Sequence, residues 1–138
     1  MKRKITIISA AILSSVFVCG TSFAVINSKA DANIMTKNGS TYVVNTTQLC
    51  KNIKGFKGAT PLMIYIKSNT VVKIQPLQNM DTPNFFNRAA KSLESYYIGK
   101  KVNKIINADV DAVSGATYSS KSIIQNVKSG LEYYNRNK

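Results

Sequence analysis

The chain has 138 residues, enough for one domain with a packed core, and 44% of them are hydrophobic. Its formal net charge of +13 favours anionic partners, although scattered lysines are more typical of a solvated surface than of a dedicated basic patch. The absence of histidine excludes Ser-His and Cys-His nucleophile pairs and His-ligated zinc, so a self-sufficient hydrolase is not expected.

The N-terminal segment is typical of an export signal. Met1-Lys2-Arg3-Lys4 is positively charged, Ile5 to Val18 is largely apolar, and Ser22-Phe23-Ala24 is a small-x-small cleavage site. We predict a signal peptide or an N-terminal anchor at residues 1–24, since Ile5 to Ile26 is just long enough to span a bilayer. The remainder is expected outside the cytoplasmic membrane, secreted or anchored, with no nucleic acid as partner.

Residues 25–40 are polar and mixed, with a turn at Asn38-Gly39-Ser40, and are interpreted as a linker before a domain at 41–138. Cys19 belongs to the export signal, which leaves Cys50 as the single cysteine of the mature chain. An internal disulfide is then excluded, and Cys50 is interpreted as a small core residue.

Three strands are predicted in the first half of the domain. Tyr42-Val43-Val44 forms a short one, and Pro61 to Lys67 and Thr70 to Leu77 form a hairpin through the tight connection Ser68-Asn69. In the last strand, Val72 and Ile74 are expected on one face.

Two helices follow. The first begins at Asp81-Thr82-Pro83, where Thr82 is the expected cap, and stops at Gly99. The last is expected from about Ser119 to Tyr134. Between them, a short strand is predicted through Val102, Ile105 and Ile106. The pattern predicts a single α+β domain, a small mostly antiparallel sheet with two packed helices. The expected apolar helix faces are Phe85, Phe86, Ala89, Ala90, Leu93, Tyr96 and Tyr97, and Ile123, Ile124, Val127, Leu131 and Tyr134.

The stretch D-A-V-S-G-A-T-Y-S-S, residues 111–120, combines small residues and hydroxyls directly before a helix. A helix N-terminus carries unpaired N–H donors and partial positive charge, which suit a phosphate, and Lys121 adds a cation. The alternative is an ordinary turn and cap, because serine and threonine are common at both. Neither a Walker loop nor a dinucleotide fingerprint matches.

This stretch resembles the flavinylation motif of the FMN-binding domain family, D-[GA]-x-[ST]-G-A-T-x-[ST]. That family includes small exported flavoproteins, the FMN-carrying C subunit of the sodium-pumping NADH:quinone oxidoreductase and the G subunit of the Rnf complex. Gly55-Phe56-Lys57-Gly58 and Asp81-Thr82-Pro83 are similar to two further family segments, G-[YF]-x-G and E-T-P. The aspartate replaces the usual glutamate, and Asn84 stands where a glycine often follows.

The resemblance implies roles for individual residues. Thr117 is the expected site of covalent FMN, transferred from FAD by a flavin transferase, and Asp111 would serve recognition by that enzyme. Thr82 is a candidate flavin contact. Ser114, Gly115 and Ala116 would form the loop on the phosphate side, and Ser119 and Ser120 would cap the helix and touch the phosphate.

The predicted function is an exported flavoprotein electron carrier with FMN bound through a phosphoester to Thr117. Its expected partners are a flavin transferase, redox proteins or a quinone-linked membrane complex, and a membrane surface. No metal is predicted, and an electron-transfer flavoprotein is favoured over a self-sufficient enzyme. The alternatives are a domain that binds FMN without a covalent bond and a basic, non-catalytic module of the cell envelope.

Overall fold

Four antiparallel strands form one sheet, in which they lie side by side in chain order, in the computed structural model, which describes residues 34–138. Each strand pairs with the next along the chain. The predicted α+β class, a mostly antiparallel sheet with packed helices, is confirmed. The strands are β1 (Met35–Asn38), β2 (Thr41–Asn45), β3 (Leu62–Lys67) and β4 (Thr70–Pro76).

Three helices complete the fold: α1 (Pro83–Tyr97), α2 (Val102–Ile105) and α3 (Thr117–Asn137). Helices α1 and α3 pack against each other, α3 lies on β2 and β3, and α1 lies on β4. One face of the sheet is therefore covered. No helix within residues 34–138 is long and apolar enough to cross a membrane. The buried sheet residues are Val44, Leu62, Ile64, Ile66, Val71 and Ile74, and the buried helix residues include Phe86, Ala89, Leu93, Ile123, Val127 and Leu131.

The predicted linker at residues 25–40 is wrong over its last part, because Met35–Asn38 forms strand β1. Its register with β2 leaves only Gly39 and Ser40 in the connecting loop. Three of its four residues are exposed, as is common for an edge strand, so this strand has no apolar alternation to reveal it. The rest of the predicted linker up to residue 33, and the predicted signal or anchor at residues 1–24, lie outside the described residues.

The strand predicted through Val102, Ile105 and Ile106 is also wrong. Val102–Ile105 forms the single helical turn α2, and both of its terminal residues are buried. Residues three apart point the same way on a helix but to opposite faces of a strand. Helical geometry therefore places both apolar side chains in the core.

The predicted β3–β4 hairpin is confirmed, with Ser68 and Asn69 at φ values of +52° and +58° in a two-residue turn. The strands contain a bulge: Tyr65 pairs with Lys73, but Ile66 pairs with Val71. Val72 is the extra residue of the bulge and interrupts the alternation of buried and exposed side chains along β4. Val71 and Ile74 are therefore buried, while Val72 is 44% exposed. The prediction that Val72 and Ile74 share a face is therefore wrong.

A polar stripe on α3, defined as Ser119, Ser122, Asn126 and Ser129, fixes the helix on the rest of the domain. The spacing of three and four residues places all four on one side of the helix. Each side chain hydrogen-bonds to a different part of the chain, so the helix cannot rotate or slide without breaking several bonds. The bonded pairs are Ser119 with Asp81, Ser122 with Thr60, Asn126 with Thr46, and Ser129 with Cys50.

Cys50 is buried and free, as predicted for a small core residue. Burial raises the pKa of its thiol, and the hydrogen bond with Ser129 opposes that rise. Its environment therefore favours the unreactive protonated thiol.

Candidate functional site

The loop before α3 is closed by its own hydrogen bonds. The Ala116 N–H donates to the Val113 carbonyl at 2.9 Å, and the Val113 N–H donates to the Ser120 hydroxyl at 3.0 Å. Gly115 between them has a φ of +79°, a left-handed conformation that favours glycine. The helix then begins at Thr117, so this residue stands at the exact junction of loop and helix.

The four serine and threonine hydroxyls of residues 111–120 fall into two classes. Ser119 and Ser120 are buried and engaged, because Ser119 donates to Asp81 at 2.6 Å and Ser120 accepts from the loop. Ser114 and Thr117 are exposed, and within residues 34–138 their hydroxyls make no hydrogen bond. Thr117 therefore presents an accessible hydroxyl at the first residue of α3.

The predicted capping of α3 by Ser119 and Ser120 is wrong. The helix begins two residues before Ser119, its N-cap position is Ala116, and no side chain caps it. The buried serines instead fasten the first turn to the loop and to Asp81. Main-chain N–H groups at the start of α3 consequently have no side-chain acceptor.

A cleft of about 260 Å³ opens beside Thr117. Three aromatic side chains line it: Phe56 is 64% exposed, Phe85 47% and Tyr118 66%. The Phe56 and Tyr118 ring centroids lie 6.0 Å apart. Gly115, Ala116, Thr117 and Ser119 complete the wall. Exposed aromatic rings around a concave surface are suited to bind a flat, largely apolar ring system.

The turn Gly55–Gly58 places Phe56 at this cleft. The Gly55 N–H donates to the Gly58 carbonyl at 2.8 Å, and the Lys57 N–H donates to an Asp81 carboxylate oxygen at 2.7 Å. A Cβ atom at Gly55 would overlap with the other carboxylate oxygen. Glycine is thus needed for the close approach of the turn to Asp81.

One cation reaches the loop from α1. The Arg88 Nη2 group donates to the Ser114 carbonyl at 3.3 Å, and the guanidinium carbon lies 5.8 Å from the Phe85 ring centre. A Cβ atom at Gly115 would stand 2.8 Å from Nη2, so the absence of a side chain there admits the guanidinium. Lys121, the cation expected from the sequence, is exposed on α3 and makes no hydrogen bond to the loop in the described part of the chain.

The remaining predicted residues lie at the edge of this arrangement. Thr82 occupies the N-cap position of α1 without a side-chain cap bond, and it does not line the cleft. Asp111 is exposed ahead of the loop. The described segment from 34 to 138 contains no group of three His, Cys, Asp or Glu residues that could hold a metal ion.

Sequence reasoning missed Phe85 and Arg88 as site residues. Phe85 was expected in the core, since it lies on the predicted apolar face of the first helix, yet nearly half of its surface is exposed at the cleft. Arg88 follows Phe85 by three residues and therefore lies on the same side of α1. The signal for Phe56 was present in the G-F-K-G turn, where an aromatic residue sits between two glycines.

The family model described as FMN-binding domain matches residues 55–132. The match spans more than half of the chain and includes the turn, the Asp81 segment and the loop before α3. The chain therefore belongs to the FMN-binding domain family, and FMN is its cofactor. No curated protein matches the sequence.

The residues of the cleft fit FMN. The aromatic side chains offer a surface for the isoalloxazine ring, while Arg88 and the start of α3 offer positive charge for a phosphate. The two chemical parts of the cofactor thus find complementary groups within one site.

Proposed function

We propose that this protein is an exported flavoprotein electron carrier, with FMN attached through a phosphoester to the Thr117 hydroxyl. The observation that carries the proposal is the contrast between Thr117, which is exposed and without a hydrogen bond among the described residues, and the buried, bonded Ser119 and Ser120. The resemblance of residues 111–120 to a flavinylation motif and membership of the FMN-binding domain family support it.

Attachment is a phosphoryl transfer from FAD by a flavin transferase. The Thr117 oxygen forms a bond to the phosphorus of the FMN half, the pyrophosphate bond breaks, and AMP leaves. The hydroxyl proton passes to a base of the transferase, because no described side chain hydrogen-bonds to Thr117. Asp111, exposed six residues earlier, is proposed to serve recognition by that enzyme.

The protein's own residues would hold and orient the cofactor. Bound FMN supplies one- and two-electron redox chemistry, so the protein needs no general base of its own. Ser114, Gly115 and Ala116 would border the phosphate, and Phe56 and Tyr118 would contact the ring. Thr82 stays a predicted contact. Redox partners would be proteins or a quinone-linked complex outside the cytoplasmic membrane, consistent with the export signal predicted at residues 1–24.

Co-expression with a flavin transferase tests the proposal. After denaturing electrophoresis, the parent chain should give a band with flavin fluorescence, and Thr117→Ala should give none. Ser40→Ala is a matched control, since it removes an exposed hydroxyl in the β1–β2 loop, away from the cleft, and should keep the band.

A dark parent band would overturn covalent attachment. Flavin that remains with the native protein but is released on denaturation would indicate non-covalent FMN binding. Absence of flavin in both states would leave the basic envelope-binding module as the better explanation.

A further inference from the structure

We propose that Arg88 recognises the cofactor phosphate and thereby makes the site selective for FMN over flavins that lack a phosphate. The inference rests on the proposed function, because it places the phosphate beside Thr117. Arg88 was not predicted from the sequence as a site residue and comes from a different element, α1.

The Arg88 guanidinium lies against the loop before α3. Its guanidinium contacts the backbone of Ser114 and lies at the face of Gly115 where a Cβ atom would otherwise stand. These two residues precede Thr117 by three and two positions. The cation is therefore held at the loop that ends in the accessible hydroxyl.

Most N–H donors of the Arg88 guanidinium have no partner among the described residues. Arginine has five N–H donors, and only one hydrogen bond from Arg88 is found within residues 34–138, to the Ser114 carbonyl at 3.3 Å. No carboxylate of these residues forms an ion pair with it. The Arg88 side chain is solvent-exposed, so most of its donors remain free for an oxyanion, and the planar fork of arginine matches phosphate oxygens.

The Phe85 ring neighbours the Arg88 guanidinium. The guanidinium carbon lies 5.8 Å from the centre of Phe85, a residue that lines the cleft. The guanidinium therefore lies between the Phe85 ring and the Ser114 carbonyl. A phosphate at the loop and a flavin ring at the wall would then lie on adjoining sides of Arg88.

The test compares FMN with riboflavin, which has the same ring system and no phosphate. Equilibrium binding is measured by fluorescence titration in the Thr117→Ala background, where no covalent bond forms. Arg88→Gln should weaken FMN binding about tenfold, a loss typical of a charge-assisted hydrogen bond, and leave riboflavin binding unchanged. Lys91→Gln removes one exposed charge from the same helix and should change neither affinity.

Equal losses for both flavins, or an unchanged affinity for FMN, would overturn the proposal. Arg88→Lys should give an intermediate FMN affinity, because it keeps the charge and loses the fork. If the Thr117→Ala variant binds neither flavin, the test is instead made in chains that keep Thr117, by measuring the initial rate at which the transferase incorporates flavin. A rate for Arg88→Gln equal to that of Lys91→Gln would then overturn it, whereas a selectively slower rate supports it. If the parent chain gives no fluorescent band on the denaturing gel but still binds FMN more tightly than riboflavin, only covalent attachment would be contradicted.

Discussion

The Ser119 hydroxyl donates a hydrogen bond of 2.6 Å to the Asp81 carboxylate, across 38 positions of sequence. Asp81 is only 5% exposed and Ser119 only 2%. The second oxygen of the carboxylate accepts from the Lys57 N–H. One buried side chain therefore joins the turn that presents Phe56, the start of α1 and the first turn of α3, the three elements that surround the cleft.

Asp81→Asn should destabilise the fold, because the amide offers one acceptor oxygen where the structure uses two. We expect a loss of about 1–3 kcal/mol in the free energy of unfolding, typical of a buried group left unsatisfied. Urea denaturation measures it, with Asp109→Asn, an exposed acid, as control. A double-mutant cycle with Ser119→Ala should give a coupling of roughly 0.5–3 kcal/mol, and additive losses would show that the pair does not act together.

Gly55→Ala should destabilise the protein more than Gly58→Ala, although both glycines border the same turn. A Cβ atom at Gly55 would overlap with the Asp81 carboxylate and lie 3.2 Å from the Thr60 methyl group, whereas at Gly58 the nearest atom is 3.7 Å away. We expect a loss of about 1–3 kcal/mol for the first, as for overpacked cores, and little change for the second. Thermal unfolding of the two variants compares them, and equal melting temperatures would contradict the expectation.

Ser68→Asn should stabilise the β3–β4 turn. Ser68 has a φ of +52°, a conformation that asparagine tolerates better than serine and that β-branched residues strongly disfavour. We expect a gain of about 0.5–1 kcal/mol, the usual size of such backbone effects. Ser68→Thr keeps the hydroxyl and should instead lower the free energy of unfolding. A higher denaturation midpoint for threonine than for asparagine would refute this explanation.

Alkaline pH should weaken the fold through Tyr97. Burial raises the pKa of Tyr97 to about 12, and the charge of Tyr96 adds to the rise. The unfolded chain loses this proton near pH 10, while the native state keeps it until about pH 12. The stabilising contribution is therefore complete below pH 10 and is lost as pH rises to about 12.

Urea midpoints between pH 9 and pH 12 measure this loss. Tyr97→Phe should lower the neutral-pH stability little and should make the alkaline decline less steep than in the parent chain. Tyr118→Phe, which removes an exposed phenol, is the control. Parallel declines in parent and Tyr97→Phe would show that other groups govern the alkaline loss.

The regular strands and helices can be predicted from the local hydrophobic pattern, whereas the wrong predictions concern features that depend on packing between elements. The alternation of β3 and the apolar face of α3 predict both elements, because their side chains face one continuous core. The short segment Val102–Ile105 contains two apolar residues three apart, a pattern too short to separate helix from strand. The bulge before Ile66 has no local signal, since it depends on how two strands pair.

The candidate site likewise has a part that the sequence predicts and a part that depends on packing between elements. Thr117 could be proposed from the sequence because its motif is contiguous, and the loop, helix start and exposed hydroxyl are local consequences of that stretch. Arg88 and Phe85 could not, because their relation to the loop requires α1 to lie beside α3. Asp81 was recognised only as part of a motif, since a sequence does not reveal that its carboxylate is buried between two distant donors.

Burial of two serines at the start of α3 would limit which hydroxyl the proposed modification can reach. In an unfolded chain, Ser114, Thr117, Ser119 and Ser120 would all be within reach of an incoming enzyme. The native helix withdraws the last two from solvent, because Ser119 faces Asp81 and Ser120 faces the loop. Any enzyme that acts on the folded protein therefore meets a choice already narrowed by folding, and a short peptide of the same sequence should be modified with less discrimination.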